Sequence, residues 1–285
     1  MAAALDSASL AALSEVNYTL SVEEDGQWKR IKALTIEDLK AFSQILERDR
    51  NYSITATREG YKEQNTAFDT YGMTGGTTKE VSLLLPKMTP SEVLKVGIDK
   101  FLPVPLYFDN DKPRGLADPS LTQFTYGELN QAYYERKPTF LDINTRGLTG
   151  EERTMAAGAI ETFFEDDIRY AKESLDLFCE RMLAYLNLGN TAEILIQGFA
   201  SPLADYEYNL NLGRRRTSSI QNHISQWRDG ALLPFVEDGS LKITFKSFGE
   251  SAVKPGVSDN PTDIKNSIYS IDASRERRVQ IIEVK

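Results

Sequence analysis

Apolar and polar positions alternate through the first third of the chain. NYTLSVEE (17–24), YSITATREGY (52–61) and EVSLLLP (80–86) each carry the two-residue period of a half-buried strand. Asp25-Gly26, Glu59-Gly60 and Gly75-Gly76 supply turns between them. Residues 1–88 are therefore expected to form a small β-sandwich, with a linker at 89–100 around Pro90. FLPVPLYFDNDKP (101–113) predicts a strand with Leu102, Val104, Leu106 and Phe108 on one face. Pro103 and Pro105 cannot donate to a ladder, so its start belongs at an edge.

The period then changes. A short helix is expected near 126–136, and Thr149 with Glu152 fits a capping box. Ile168, Ala171, Leu175, Phe178, Met182 and Leu186 form one helical stripe, a core face that ends near Gly189. AEILIQGFA (192–200) predicts a strand. The next helix carries Leu212, Arg216, Ile220, Ile224 and Trp227 on one face. LKITFKSFGE (241–250) and RRVQIIEVK (277–285) close the chain as strands. This order predicts an α+β fold, a two-layer α/β sandwich of βαβαββ order over 101–285 with a helical insertion at about 113–160. There is no internal repeat.

Composition narrows the function. The net charge of -9 over 285 residues argues against nucleic acid or an anionic membrane as the main partner. One cysteine, Cys179, excludes an internal disulfide and a cysteine-rich metal site. The single His223 lies mid-helix, where a satisfied structural histidine is the expectation, so no metal is assigned. No stretch reaches the ~20 apolar residues of a membrane span. The start, MAAALDSASLAALSEV, lacks the basic flank and apolar run of a signal peptide and the cysteine of a lipoprotein. If the protein is exported, a mature piece or part of a longer chain is expected. Glu161, Glu165, Asp166 and Asp167 are expected to serve a helix start. No P-loop, GxSxG or HExxH is present, so neither an enzyme nor a cofactor is expected.

GFASPLADYEYNLNLGRRRTSSIQNHI (198–224) resembles the signature of the OmpA-like peptidoglycan-binding domain. Gly198, Asn209, Leu212 and Arg216 fall on that signature's offsets, while Ser201 stands where the family has an acidic residue. LYFDNDK (106–112), SFGES (247–251) and ASRERRVQI (273–281) extend the resemblance over 101–285. The wording is similar to OmpA-like domains of Bacteroidota, some of which belong to the type IX secretion system. RDRNYSITATREGYKEQNTAFDT (48–70) resembles carboxypeptidase-regulatory-like sandwich modules, with an unrelated small sandwich as the alternative.

The resemblance implies a periplasmic, outer-membrane-associated, non-catalytic anchor that binds the diaminopimelate stem peptide of peptidoglycan. The zwitterionic end of diaminopimelate needs a cation and an anion side by side. Arg216 would fork onto the carboxylate, a geometry lysine does not reproduce. Asn209 would add amide contacts. With Ser201 neutral, Asp111, Asp109 or Asp205 would take the ammonium; otherwise binding is weaker, or the pocket survives without ligand as an interaction scaffold for envelope or secretion-system proteins. Arg214 and Arg215 are expected on a solvated face, and alternation sends Arg277 and Arg278 to opposite faces.

Overall fold

A computed structural model describes residues 1–200, 206–250, 260 and 262–285. The chain divides into two compact units, residues 1–93 and 94–285. Together they make a mixed structure of the α+β class.

The N-terminal unit is built of strands β1 (Ala2–Asp6), β2 (Val16–Glu24), β3 (Gln27–Ile36), β4 (Asn51–Thr57), β5 (Gln64–Asp69) and β6 (Val81–Leu85). An antiparallel sheet runs in the order β3-β2-β4-β5, and β1 pairs in parallel with β6. Asp25 and Gly26 join β2 to β3 with positive φ at both residues (52° and 76°), the conformation a two-residue hairpin turn demands. Alternation sends Val16, Tyr18, Leu20 and Val22 of β2 inward, where they meet Tyr52, Ile54 and Ala56 of β4. Leu20 lies directly opposite Ile54 and both are buried; each contributes roughly 1.5–3 kcal/mol of transfer free energy. Ala2 and Ala4 of β1 and Leu83 and Leu85 of β6 complete this core.

Residues 89–100, expected as a linker, instead hold helix α1 (Pro90–Asp99). Thr89 starts it: its Oγ1 accepts from the Glu92 amide at 3.2 Å, and the Glu92 carboxylate accepts from the Thr89 amide at 2.8 Å. This reciprocal cap makes a helix of a stretch whose prolines suggested a break.

The C-terminal unit continues with β7 (Val104–Tyr107), α2 (Tyr126–Tyr134), α3 (Lys137–Thr145), α4 (Gly150–Thr162) and a π-helical stretch (Phe163–Arg169) that leads into α5 (Tyr170–Leu186). β8 (Ala192–Ala200), α6 (Tyr206–Gly230), α7 (Leu233–Glu237), β9 (Leu241–Glu250), α8 (Ile271–Glu276) and β10 (Arg278–Val284) follow. A short helix thus separates the last two strands, which the sequence order had placed in succession. The sheet order is β7-β10-β8-β9; β10 is antiparallel to β7 and β8, and β8 is parallel to β9. β7 is an edge strand, which leaves room for Pro105 opposite Gln280.

Pairing puts Val104, Leu106, Val279, Ile281, Ile194 and Ile196 on one sheet face, and all are buried. Gln197, Gln280, Glu193 and Thr244 lie on the other. One apolar face can be covered by one helical layer. The α5 stripe from Ala171 through Leu175, Phe178, Met182 and Leu186 joins this core, as do Ile220, Ile224 and Trp227 of α6. The helix cap at Thr149 lacks a side-chain hydrogen bond, whereas Thr125 and Glu128 form a full capping box at the start of α2. The acidic cluster sits inside a continuous helical run, not at a helix start. Lys137 Nζ meets Glu165 at 2.9 Å and also contacts Glu161, and Arg275 meets Asp167 at 2.7 Å.

Candidate functional site

Helix α6 carries its arginines past the loop that follows β7. Arg216 is 3% exposed, with its guanidinium over the Phe108 ring, 5.2 Å from the centroid. Its Nε donates to the Lys112 carbonyl at 3.1 Å. Among the described residues, neither terminal nitrogen of Arg216 meets a hydrogen-bond acceptor, and no carboxylate lies within ion-pair distance of it. Arg215 is also buried, against the expectation of a solvated face. Its Nε donates to Pro113 O and its Nη1 to Pro119 O, both at 2.9 Å. The loop carbonyls that fold over Arg215 lie about a hundred residues earlier in the chain, so helical periodicity gave no sign of them. Arg214 is exposed.

A third buried cation flanks the site. Arg277 is 4% exposed at the end of α8; its Nη2 donates to Ile268 O at 2.7 Å and to Ser274 Oγ at 2.8 Å. Its buried Nε meets no acceptor among the described residues. Arg278, on the opposite side of the strand, donates to Arg275 O at 2.8 Å. Burial, followed by the positive charges of Arg277 and Arg215, pulls the Arg216 pKa well below the ordinary arginine range. Asp111 acts in the opposite sense and favours its charge. Three guanidiniums in a dry setting repel one another, and the described residues around Arg216 are short of negative charge.

The expected acids are placed differently from one another. Asp109 is buried and committed: Arg136 Nη1 donates to it at 2.9 Å and the Asn110 amide at 2.8 Å. Arg136 in turn donates to Tyr269 Oη at 2.9 Å. Asp111 is exposed, with φ at 57°, and accepts from the Tyr208 hydroxyl. Tyr208 lies under Arg215, 5.5 Å from ring centroid to guanidinium carbon. Asn209 is partly buried on α6, two turns before Arg216 and on the same face. Ser201 and Asp205 lie outside the described residues. The structure thus brings Arg216, Asp111, Tyr208, Arg215 and Arg277 to one region, and Asp109 supports the loop through Arg136. Arg136 had no local sequence signal, because it stands at the junction of two helices and meets its partners through tertiary folding alone.

His223 is satisfied internally. Its Nδ1 accepts from the Gly127 amide at 3.2 Å, so the ring proton sits on Nε2 and faces Asp176 Oδ1 at 3.1 Å. Burial depresses its pKa and Asp176 partly offsets this. Cys179 is buried, which pushes its thiol pKa far up and makes it inert. Among the described residues no cluster of His, Cys, Asp or Glu is placed to hold a metal, and no helix is long and apolar enough to cross a membrane. Comparison with protein-family models, with curated proteins and with solved structures gives no match.

Proposed function

We propose that residues 101–285 form an OmpA-like two-layer domain that binds the diaminopimelate stem peptide of peptidoglycan without catalysis. In this reading the chain tethers an outer-membrane or secretion-associated assembly to the cell wall in the periplasm, and residues 1–88 form a carboxypeptidase-regulatory-like sandwich. The strand order β7-β10-β8-β9, with α6 between the parallel strands β8 and β9, supports the fold assignment.

The observation that carries the function is Arg216. A buried guanidinium with no carboxylate at ion-pair distance among the described residues stands in an energetically poor place unless an anion arrives. A ligand carboxylate accepting from both terminal nitrogens would supply a bidentate, charge-assisted pair. Asp111, beside Tyr208, is the accessible acid for the ammonium group.

The test is retention on purified sacculi. The wild-type protein is expected to be retained, while Arg216→Lys and Arg216→Ala are lost to the supernatant; equal retention of all three rejects the proposal. One observation favours a second reading, an interaction scaffold with an inactive pocket: Asp109 is already held by Arg136, and Ser201 is neutral. Calorimetry with a diaminopimelate-containing stem peptide separates the two. Saturable heat supports the anchor, and its absence with folded protein selects the scaffold.

A further inference from the structure

The N-terminal unit has an open sheet edge. β3 is the outermost strand of its sheet, and among the described residues it pairs with β2 alone. Among the described residues, no backbone hydrogen bond reaches β3 from its other side. Eight of its ten residues are exposed, including Trp28 at 50% and Ile31 and Leu34 at 46% each.

Native edges are usually kept short, interrupted by proline or covered. β3 is ten residues long, contains no proline and shows three large apolar side chains to solvent. Its register with β2 passes from Ser21–Arg30 to Leu20–Lys32, which leaves Ile31 as an extra, outward residue. Around Ile31 stand Lys29, Arg30 and Lys32. Lys29 pairs with Glu24 at 3.1 Å, while Lys32 donates to the Gln44 amide oxygen at 2.8 Å. No described carboxylate lies within ion-pair distance of Arg30 or Lys32. On a chain of net charge -9, this is a local basic strip with apolar residues interleaved.

We propose that β3 receives an extended acidic segment of a partner protein as an added strand. Backbone hydrogen bonds would complete the ladder, and carboxylates on the segment's two faces would meet Arg30, opposite Ser21 on the outer face, and Lys32, opposite the buried Leu20 on the inner face. A second copy of β3 fits poorly. Antiparallel self-pairing centred on Arg30 or on Lys32 sets that residue against itself. Like charges in cross-strand positions are destabilising.

The probe is an eight-residue peptide of the repeat Glu-Glu-Val-Val, which presents carboxylates on both faces of an added strand. Calorimetry is expected to give saturable binding, and hydrogen exchange is expected to slow at amides within 27–36. The double variant Arg30→Glu/Lys32→Glu should weaken binding at least about tenfold. It should also bind the corresponding lysine–valine peptide, which the wild type should not. An acidic peptide of equal charge with proline at every third position cannot form the ladder. Equal affinity for that peptide overturns the proposal, because it leaves charge attraction alone. Protection outside β3 overturns it too, as does peptide-free protection of β3 that grows with protein concentration, the sign of self-pairing.

Discussion

The two units bury polarity in opposite ways. In the N-terminal unit the described buried polar side chains are neutral, Ser53 and Thr70, and the buried tyrosines are anchored by backbone: Tyr18 Oη accepts from the Ala4 amide at 2.8 Å. The C-terminal unit buries whole charges, Asp109, Arg215, Arg216, Glu276 and Arg277 among the described residues. A neutral hydroxyl with a partner costs little to bury, while an ion loses several kcal/mol of hydration that only close partners return. Asp109 and Arg215 have such partners; among the described residues Arg216 has one carbonyl acceptor. The first unit buries side chains that cost little, and the second carries the larger desolvation cost.

The largest test of this contrast is Arg216→Met. Removing a buried charge is expected to leave stability unchanged or raise it by up to about 4 kcal/mol in urea denaturation, while sacculus retention is lost. A clear drop in stability would show that Arg216 serves the fold, and the contrast would fail.

Next in size is Tyr18→Phe. The Ala4 amide would lose its partner in a buried setting, at a cost of about 1–3 kcal/mol. An unchanged denaturation midpoint would mean that the N-terminal unit does not depend on its hydroxyl anchors.

The smallest effect is pH dependence at His223. Its folded pKa lies below the ordinary value of 6.5. The unfolded chain therefore takes up the proton first as pH falls through that value, and stability declines with acidification there. His223→Gln should flatten the slope just below pH 6.5. An identical slope in the variant would assign it to other groups.

Much of the architecture was legible because its causes are local. The two-residue period marked β2, β4 and β6, Asp25-Gly26 marked the turn after β2 although β3 itself was not expected, and the stripe from Ile168 to Leu186 is buried along its length. Errors arose where a local rule had a competitor. Thr149 and Glu152 have the spacing of a capping box, yet Thr125 with Glu128 and Thr89 with Glu92 form the reciprocal pairs. Pro90 suggested a linker but occupies the first turn of α1, where its missing N–H has no helical partner to lose.

The candidate site divides along the same line. Sequence periodicity alone placed Arg216 on the apolar face of α6, since the direction of a helical side chain follows from its neighbours at three and four residues. Only the tertiary structure decided what meets it there. Phe108 and Lys112 come from the loop after β7, Arg277 comes from the end of α8, and Arg136 withdraws Asp109 into a structural pair. Those contacts join residues up to about a hundred positions apart, and their energies depend on distance and burial, which no local pattern encodes.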